Sequence, residues 1–445
     1  MITDTIVSII TALQESAISV IRLSGVEAIA YANQLFSRDL TKAESHTVQY
    51  GHIVDPVTNN VVDEVLVSVF KAPKTYTRED VVEISCHGGV LVTKKVLELC
   101  LSVGARMAEP GEFTQRAFLN GRIDLSQAES VMELIQAPNE FAQEMAISGV
   151  QGSVKKLIDP LLERLIQIIA NIEVNIDYPE YDDVQVLTED VILPLSKEFL
   201  SDLDRILKES KSGRIMKEGV KTVILGKPNV GKSSILNVLL DEEKAIVTDI
   251  AGTTRDLVEG WIRLENVALH LVDTAGLRET GDVIERIGIE KSRKALESAE
   301  LAILVFDASK KRDQEDLELL EATKNKERII VYNKQDLIQS HDEEGVYVSA
   351  LDGDVDALKE AINVRYVEHT QALSKPTLSN QRHIAAVQRS YLAMKRAIEA
   401  LEFGMELDLV TIDLNESYVE LASVVMAKED INVLDEIFAR FCLGK

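Results

Sequence analysis

Hydrophobic positions along the chain change their spacing three times. Up to about Leu119, short β-branched runs such as Val61 to Phe70 and Asp80 to Ser85 alternate with helix-like stretches such as Leu91 to Leu101. That mixture predicts an α+β unit. From Ser126 the apolar residues recur at helical intervals, first Val131, Leu134 and Ile135, then Leu157, Leu161, Leu162, Leu165, Ile168, Ile169 and Ile172. Long amphipathic helices follow from this spacing. Asp159-Pro160 reads either as an N-cap with proline at the first helical position, which restarts the helix, or as a kink. The stretch Asp177 to Asp190 contains Tyr178-Pro179 and no basic residue, so it reads as a solvated connection.

Near Gly219 the pattern becomes that of a buried sheet. Val220 to Leu225 is followed by four more apolar runs, Ala268 to Val272, Leu301 to Phe306, Arg328 to Tyr332 and Val346 to Val348. Helical segments separate most of them, which predicts an α/β domain with a mainly parallel sheet, ending near Val367. Beyond Lys375-Pro376 helical spacing returns, from Gln381 to Phe403 and from Leu414 to Met426, and the sequence closes with Phe441-Cys442-Leu443-Gly444-Lys445. The expected organisation is therefore an α+β domain over 1–119, a first helical part over 120–218, an α/β domain over 219–368 and a second helical part over 369–445. The α/β domain is inserted between the two helical parts.

Composition narrows the picture. The 445 residues suffice for about three domains of roughly 150 residues each. Lys and Arg number 48 against 74 Asp and Glu, a net charge of −26. Long-range electrostatics would repel a polyanion, so any nucleic-acid contact must be local or supplied by a partner. Cys86, Cys100 and Cys442 are too few and too scattered for a disulfide framework or a zinc site, and they suit a reducing compartment. Met1 to Leu13 lack the cationic start of a signal peptide, and no run approaches the roughly 20 apolar residues of a membrane span. A cytoplasmic protein without membrane contact is expected.

Candidate chemistry begins at the end of the first α/β strand. Gly226-Lys227-Pro228-Asn229-Val230-Gly231-Lys232-Ser233 matches G-x-x-x-x-G-K-[ST] between a predicted strand and a predicted helix. Asn229, Val230, Gly231, Lys232, Ser233 and Ser234 are thus candidate contacts to a nucleoside triphosphate. Lys232 would reach the β and γ phosphates, and the Ser233 hydroxyl would face Mg²⁺. Asp273, Thr274, Ala275 and Gly276 follow another strand, placing a carboxylate where it can hold Mg²⁺ through water and an amide where it can meet the γ-phosphate. Asn333, Lys334 and Asp336 follow a third; Asp336 can accept hydrogen bonds from both the ring N–H and the exocyclic amine of guanine, which adenine cannot supply. Ser349 and Ala350 would complete the base pocket.

Between the phosphate loop and Asp273 lie Thr248, Asp249, Ile250, Ala251, Gly252, Thr253 and Thr254. Thr254 is the candidate to close over Mg²⁺ and the γ-phosphate. Leu277 stands where Ras-like GTPases carry the glutamine that orients the attacking water. Leucine cannot do that, so a polar side chain and a cation must act instead.

With these motifs the chain resembles the MnmE (TrmE) family of tRNA-modification GTPases over essentially its whole length. The phosphate loop, Thr-Asp-Ile-Ala-Gly-Thr-Thr-Arg-Asp, Asp-Thr-Ala-Gly-Leu-Arg, Ile284-Glu285-Arg286-Ile287-Gly288, Pro110-Gly111-Glu112-Phe113-Thr114 and the terminal Phe-Cys-Leu-Gly-Lys carry the resemblance. It implies a P-loop G domain inserted in a helical domain, preceded by an N-terminal folate-binding and dimerisation domain, with two chains forming a homodimer. It further implies K⁺ in place of an arginine finger, held by Asn229 and backbone oxygens of Thr248, Ile250 and Thr253, and Glu285 as a catalytic residue beside Lys232, orienting water indirectly. A tetrahydrofolate derivative of the 5-formyl or 5,10-methylene type maps onto Arg22, Glu83, Arg122 and Lys445, with Cys442 a candidate thiol. One departure is visible: the family's glycine-rich segment before Arg22 has no glycine here between Thr11 and Val20.

In the family, an FAD-dependent partner, MnmG (GidA), joins in a heterotetramer or larger assembly. Together they add a carboxymethylaminomethyl-type group to C5 of the wobble uridine, position 34, of certain tRNAs. Two other readings compete with this one. A ribosome-assembly GTPase of the Era or Der type would want a basic RNA-binding domain after the G domain, whereas the segment from Gln381 forms acidic helices. A folate-binding scaffold would use GTP only for regulation.

Overall fold

The computed structural model describes residues 4–177, 191–242, 260–264, 267–271, 296–340, 343–372 and 377–426, together with Phe438 and Gly444. The chain divides into two compact units, one of Met1–Met132, Val150–Asp159 and Leu421–Lys445, the other of Glu133–Gly149 and Pro160–Glu420.

In the first unit the elements run β1 (Ile6–Ile9), β2 (Ile18–Ser24), α1 (Ala28–Leu35), β3 (Thr47–Val54), β4 (Val61–Phe70), β5 (Val81–His87), α2 (Val90–Ser102), β6 (Arg106–Met107) and α3 (Glu112–Leu119), followed by α4 (Leu125–Ile135), whose last three residues belong to the other unit. The strands form one sheet in the order β3-β4-β5-β2-β1-β6, antiparallel except where β6 joins β1. Period-two alternation decides its faces. Ile21, Leu23, Val65, Val67, Val69, Val82 and Ile84 are buried with Ala28, Ala32, Leu35, Val96 and Cys100 of the covering helices. Arg22 and Glu83, directly opposite each other in register, fall on the other face.

A buried ion cluster stands beside this sheet. The fully buried Arg116 side chain donates to Asp4 Oδ1 at 2.8 Å, Glu112 Oε1 at 2.9 Å and Glu79 Oε1 at 3.3 Å, while Arg106 bridges Asp4 at 2.7 Å and Glu112 at 2.6 Å. Burial pushes the Glu112 pKa up, but hydrogen bonds from Arg106, the Glu109 amide and Arg116 outweigh it and leave the carboxyl below its ordinary value. Asp4 behaves alike, with burial again opposed by the two guanidinium groups. The Pro110-Gly111-Glu112-Phe113-Thr114 motif therefore serves packing as well as anything else, because Glu112 closes this cluster and Phe113 is buried.

Next come α5 (Glu140–Val150) and α6 (Ser153–Asp177). Helix α6 runs unbroken through Pro160, so of the two readings of Asp159-Pro160 the helix restart is not the one realised. Proline inside a helix costs about 3 kcal/mol through a lost hydrogen bond and a ring clash. Burial of Ile158, Leu161, Leu162, Leu165, Ile168 and Ile172 along one stripe offsets that cost. Residues 178–190, read as a solvated connection, lie outside the described residues.

After α7 (Leu193–Glu218) the second sheet is built from β7 (Val220–Leu225), β8 (Gly260–Arg263), β9 (Ala268–Leu271), β10 (Leu301–Asp307), β11 (Glu327–Asn333) and β12 (Val346–Val348), with α8 (Lys232–Glu242), α9 (Gln314–Ala322) and α10 (Asp356–Ala372) between or after them. The order is β12-β11-β10-β7-β9-β8. All neighbours are parallel except β8 and β9. Sequence spacing anticipates every strand but β8, whose four residues hold only Trp261 and Ile262 as apolar anchors; Trp261 stacks on His270 of the paired strand at 4.6 Å.

Two further helices, α11 (Gln381–Glu402) and α12 (Leu407–Ala422), follow. Helix α12 begins at Leu407 rather than the expected Leu414. Val410, Thr411 and Ile412 have low helix propensity, yet Val410, Leu414, Ser417 and Leu421 form a buried stripe at helical spacing, and packing overrides propensity. Ser417 lies 2.8 Å from Ser390 of α11, hydroxyl to hydroxyl. Among the described residues, no helix is long and apolar enough to cross a membrane.

Replacing Arg116 by Met strands the carboxylates around it and is expected to destabilise the first unit by about 3–5 kcal/mol, measured as lost amide protection in β1 and α3. Asp4 and Glu112 have lowered native pKa values, so their stabilisation is complete above the unfolded-state carboxylate range. It is lost as the pH falls below that range through the native values. The parent's protection should decline in that window, and the variant's should decline less.

Candidate functional site

The phosphate loop leaves β7 at Gly226, where φ is 157° and an added Cβ would lie 2.4 Å from the Val305 carbonyl oxygen. At Gly231, φ is 96° and a Cβ would lie 2.0 Å from Asn333 Nδ2. Only glycine fits such approaches. Asn229 sits in the left-handed region at φ 64°, which asparagine tolerates better than most residues.

Lys232 folds back over the loop. Its Nζ donates to the carbonyl oxygens of Gly226 at 2.7 Å and Lys227 at 2.8 Å. Burial lowers its pKa below the ordinary lysine value, so an arriving phosphate would meet a cation short of solvation. Ser233 and Ser234 lie in the first turn of α8, where the helix dipole favours an anion.

Asn333 joins this loop to the opposite side of the site. Its Nδ2 donates to the Val230 carbonyl oxygen at 2.9 Å and its Oδ1 accepts from the Ala350 amide at 3.0 Å, all three residues being buried. Lys334, in the left-handed region at φ 68°, donates to Asp307 Oδ2 at 2.6 Å. Burial pushes the Asp307 pKa up, but Lys334 and Ser309 reverse that and hold the carboxyl below its usual value. Asp336 Oδ1 accepts from the Ser349 hydroxyl at 2.9 Å, and the same hydroxyl lies 2.7 Å from Asp352 Oδ2. One hydroxyl proton serves one of the two carboxylates at a time.

The structure therefore gathers Asn229, Val230, Gly231, Lys232, Ser233 and Ser234 with Asn333, Lys334, Asp336, Ser349 and Ala350 at the carboxyl ends of β7, β11 and β12, where open α/β sheets bind ligands. Thr248, Asp249, Ile250, Ala251, Gly252, Thr253, Thr254, Asp273, Thr274, Ala275, Gly276 and Glu285 lie outside the described residues. The Mg²⁺, K⁺ and water-orienting assignments that use them lie there too. Asp307 was missed by sequence reasoning. It ends a strand 27 positions before Lys334, and only the parallel pairing of β10 with β11 brings them together.

A second candidate site lies in the first unit. Arg22, Glu83 and Arg122 line one cavity of about 510 Å³, with His46, Phe70, Lys74, Tyr76 and Arg78 among the other wall residues. Arg22 Nη2 meets Glu83 Oε1 at 2.7 Å, and its guanidinium lies 5.6 Å from the Phe113 ring centroid. Arg122 lies 5.0 Å from the ring of Tyr76, whose hydroxyl is 2.9 Å from the Thr114 hydroxyl. Four Lys and Arg side chains against one carboxylate make the cavity locally cationic in an acidic chain. Its size is that of a small-molecule site.

Lys445 and Cys442 lie outside the described residues; Cys86 and Cys100 are buried free thiols. In the glycine-free segment before Arg22, the Thr11 hydroxyl meets Ser19 Oγ at 3.0 Å and the Val20 amide at 3.1 Å, which fixes the β1–β2 connection. Tyr76, Arg78 and Phe113 were not anticipated here. The polar run Thr75-Tyr76-Thr77-Arg78-Glu79-Asp80 was the available signal.

Residues 125–442 match the family model described as MnmE helical domain, and residues 5–122 match that described as GTP-binding protein TrmE N-terminus. The chain is 47% identical to the tRNA modification GTPase MnmE of Enterococcus faecalis, over 99% of this chain and 98% of that protein. Against the protein of the same description from Streptococcus thermophilus it is 46% identical, again over 99% and 98%. The G domain of the T. maritima FeoB iron transporter is 27% identical over 34% of this chain and 98% of that chain, with a TM-score of 0.26.

Two outcomes are expected at the phosphate loop. Gly231→Ala should weaken nucleotide binding on the order of 10²-fold, because its methyl displaces Asn333; calorimetric titration checks it. Nucleotide affinity should also fall as the pH rises through the lowered Lys232 pKa, below the ordinary 10.5, since phosphate binding favours the protonated amine.

Proposed function

The chain belongs to the MnmE family of tRNA modification GTPases, and from that membership we propose that it builds a carboxymethylaminomethyl-type group on C5 of the wobble uridine of certain tRNAs together with an FAD-dependent partner. It is a GTP hydrolase acting in tRNA modification, and GTPase chemistry implies GTP with Mg²⁺. What carries the site assignment is the Asn333 bridge, which joins the loop of Val230 to that of Ala350 through two short bonds.

Lys232 is read as placing its ammonium against the β and γ phosphates, and Asp336 as accepting the two guanine N–H groups, with Lys334 steadied over the base by Asp307. Ser233, Thr254 and Asp273 would hold Mg²⁺, Asp273 through water. Asn229 and the backbone oxygens of Thr248, Ile250 and Thr253 would hold K⁺. Bound there, the cations offset charge on the transferred phosphoryl group. Glu285 takes the water-orienting role that Leu277 cannot fill.

A tetrahydrofolate derivative is proposed for the cationic cavity, its acidic tail toward Arg22, Arg122 and Lys445 and its pterin edge toward Glu83. Cys442 is the candidate thiol beside it. The carboxylate of Glu83 and the surplus of cations suit both ends of such a ligand. The domain assignment that accompanies this reading is 1–119 for folate and dimerisation, 219–368 for GTP and the two flanking segments for the helical domain. A net charge of −26 favours leaving much of the tRNA grip to MnmG, in a cytoplasmic assembly built on a homodimer.

Steady-state GTP hydrolysis should be at least about tenfold faster in K⁺ than in Na⁺ at equal ionic strength, and equal rates would remove the potassium assignment. Nucleoside analysis of tRNA from cells lacking the protein should show wobble uridines without the modification. Restoration by a Lys232→Ala chain would instead favour a scaffold in which nucleotide is regulatory.

A further inference from the structure

The phosphate loop holds a second lysine whose side chain turns away from Lys232. Lys227 Nζ donates to Asp313 Oδ2 at 2.5 Å and to Asp316 Oδ2 at 2.8 Å, while the Lys227 carbonyl oxygen accepts from Lys232 Nζ at 2.8 Å. These carboxylates also cap α9. Asp313 Oδ1 accepts from the amides of Glu315 at 3.1 Å and Asp316 at 3.2 Å, and Asp316 Oδ2 accepts from the Asp313 amide at 3.1 Å. The anchor is itself fixed. Asp316 is buried, and Arg312, one residue before the cap, lies 5.5 Å from the ring centroid of Phe306 and 5.4 Å from that of Tyr332, tying the helix start to β10 and β11.

Negative charge belongs at a helix N-terminus, so the carboxylates gain from the dipole as well as from the lysine. Bonds to Asp313 and then Asp316 push the Lys227 ammonium up to about 12. The chain of contacts thus runs from α9 through the Lys227 side chain to its own backbone, and from that backbone to Lys232. We infer that Lys227 is a positioning residue whose ammonium, clamped by Asp313 and Asp316, preorganises the Gly226 and Lys227 carbonyls that aim Lys232 at the phosphates. A clamped loop has less to order when nucleotide arrives, so the effect falls on binding rather than on the chemical step. This inference rests on the reading of residues 226–233 as the phosphate loop.

The test uses the full chain with Lys227→Met, Lys227→Arg, Asp313→Asn and, as reference, Lys232→Ala. GTP hydrolysis gives KM and kcat, and thermal unfolding monitors folding. Lys227→Met should raise KM roughly tenfold with kcat changed less than about twofold, since it removes a charge-assisted clamp without touching the reacting atoms. Arginine can span both carboxylates, so Lys227→Arg should restore most of the parental KM. Asparagine still caps a helix, so Asp313→Asn should keep the fold and raise KM about threefold; it carries the test should the methionine variant unfold. A parental KM in Lys227→Met, an arginine variant as impaired as the methionine one, or a loss confined to kcat would each overturn the inference. If Lys232→Ala binds GTP like the parent, the phosphate-loop reading itself falls; if it loses GTP while Lys227→Met is parental, only the positioning role falls.

Discussion

The candidate nucleotide site depends on one buried amide. Asn333 spends its donor on Val230 and its acceptor on Ala350, and both partners are main-chain groups that would otherwise be stranded away from water. Unsatisfied buried groups cost about 1–3 kcal/mol each. Three loops that leave separate strands are thereby held in one arrangement before any ligand arrives. Gly231 has no side chain because Asn333 occupies the space one would need. Parallel strands deliver all the loop ends to the same edge, and this single side chain sets their spacing.

The first unit follows a different principle, in which charge is buried rather than neutral amides. Arg116 has no contact with solvent and is tolerated because carboxylates and a carbonyl saturate it. That cluster fixes the start of α3, and α3 in turn supplies Phe113 beneath Arg22 and Thr114 against Tyr76. The walls of the cationic cavity are consequently braced from behind by a structure that has no part in its own opening. A local excess of positive charge within an acidic chain draws small anions at short range, which a long-range field of net −26 cannot do.

Much of this was legible in the sequence because periodicity and strand-end motifs are local. Five of the six strands of the second sheet were visible from spacing, and the phosphate loop and the Asn333 to Asp336 segment from their residue motifs at strand ends. What escaped was set by tertiary context. Strand β8 is too short to carry a pattern and exists through its pairing with β9. The early start of α12 and the passage of α6 through Pro160 run against local propensity and are decided by buried stripes. Asp307, Tyr76 and Phe113 gain their roles only through neighbours remote in sequence, for which a single chain offers no spacing rule. Lys227 was in plain view within the motif, at a position the motif leaves undefined.

The pairing of Arg22 with Glu83 has a consequence for how this protein can vary. Because they face each other across adjacent strands, their meeting is written into the ladder and owes nothing to a flexible loop. A slip of β2 by a single residue would swing Arg22 into the apolar interior while bringing Ile21 or Leu23 out to solvent. The connection between β1 and β2 contributes neither partner, whereas an insertion within either strand destroys the charge pair and the core in the same stroke.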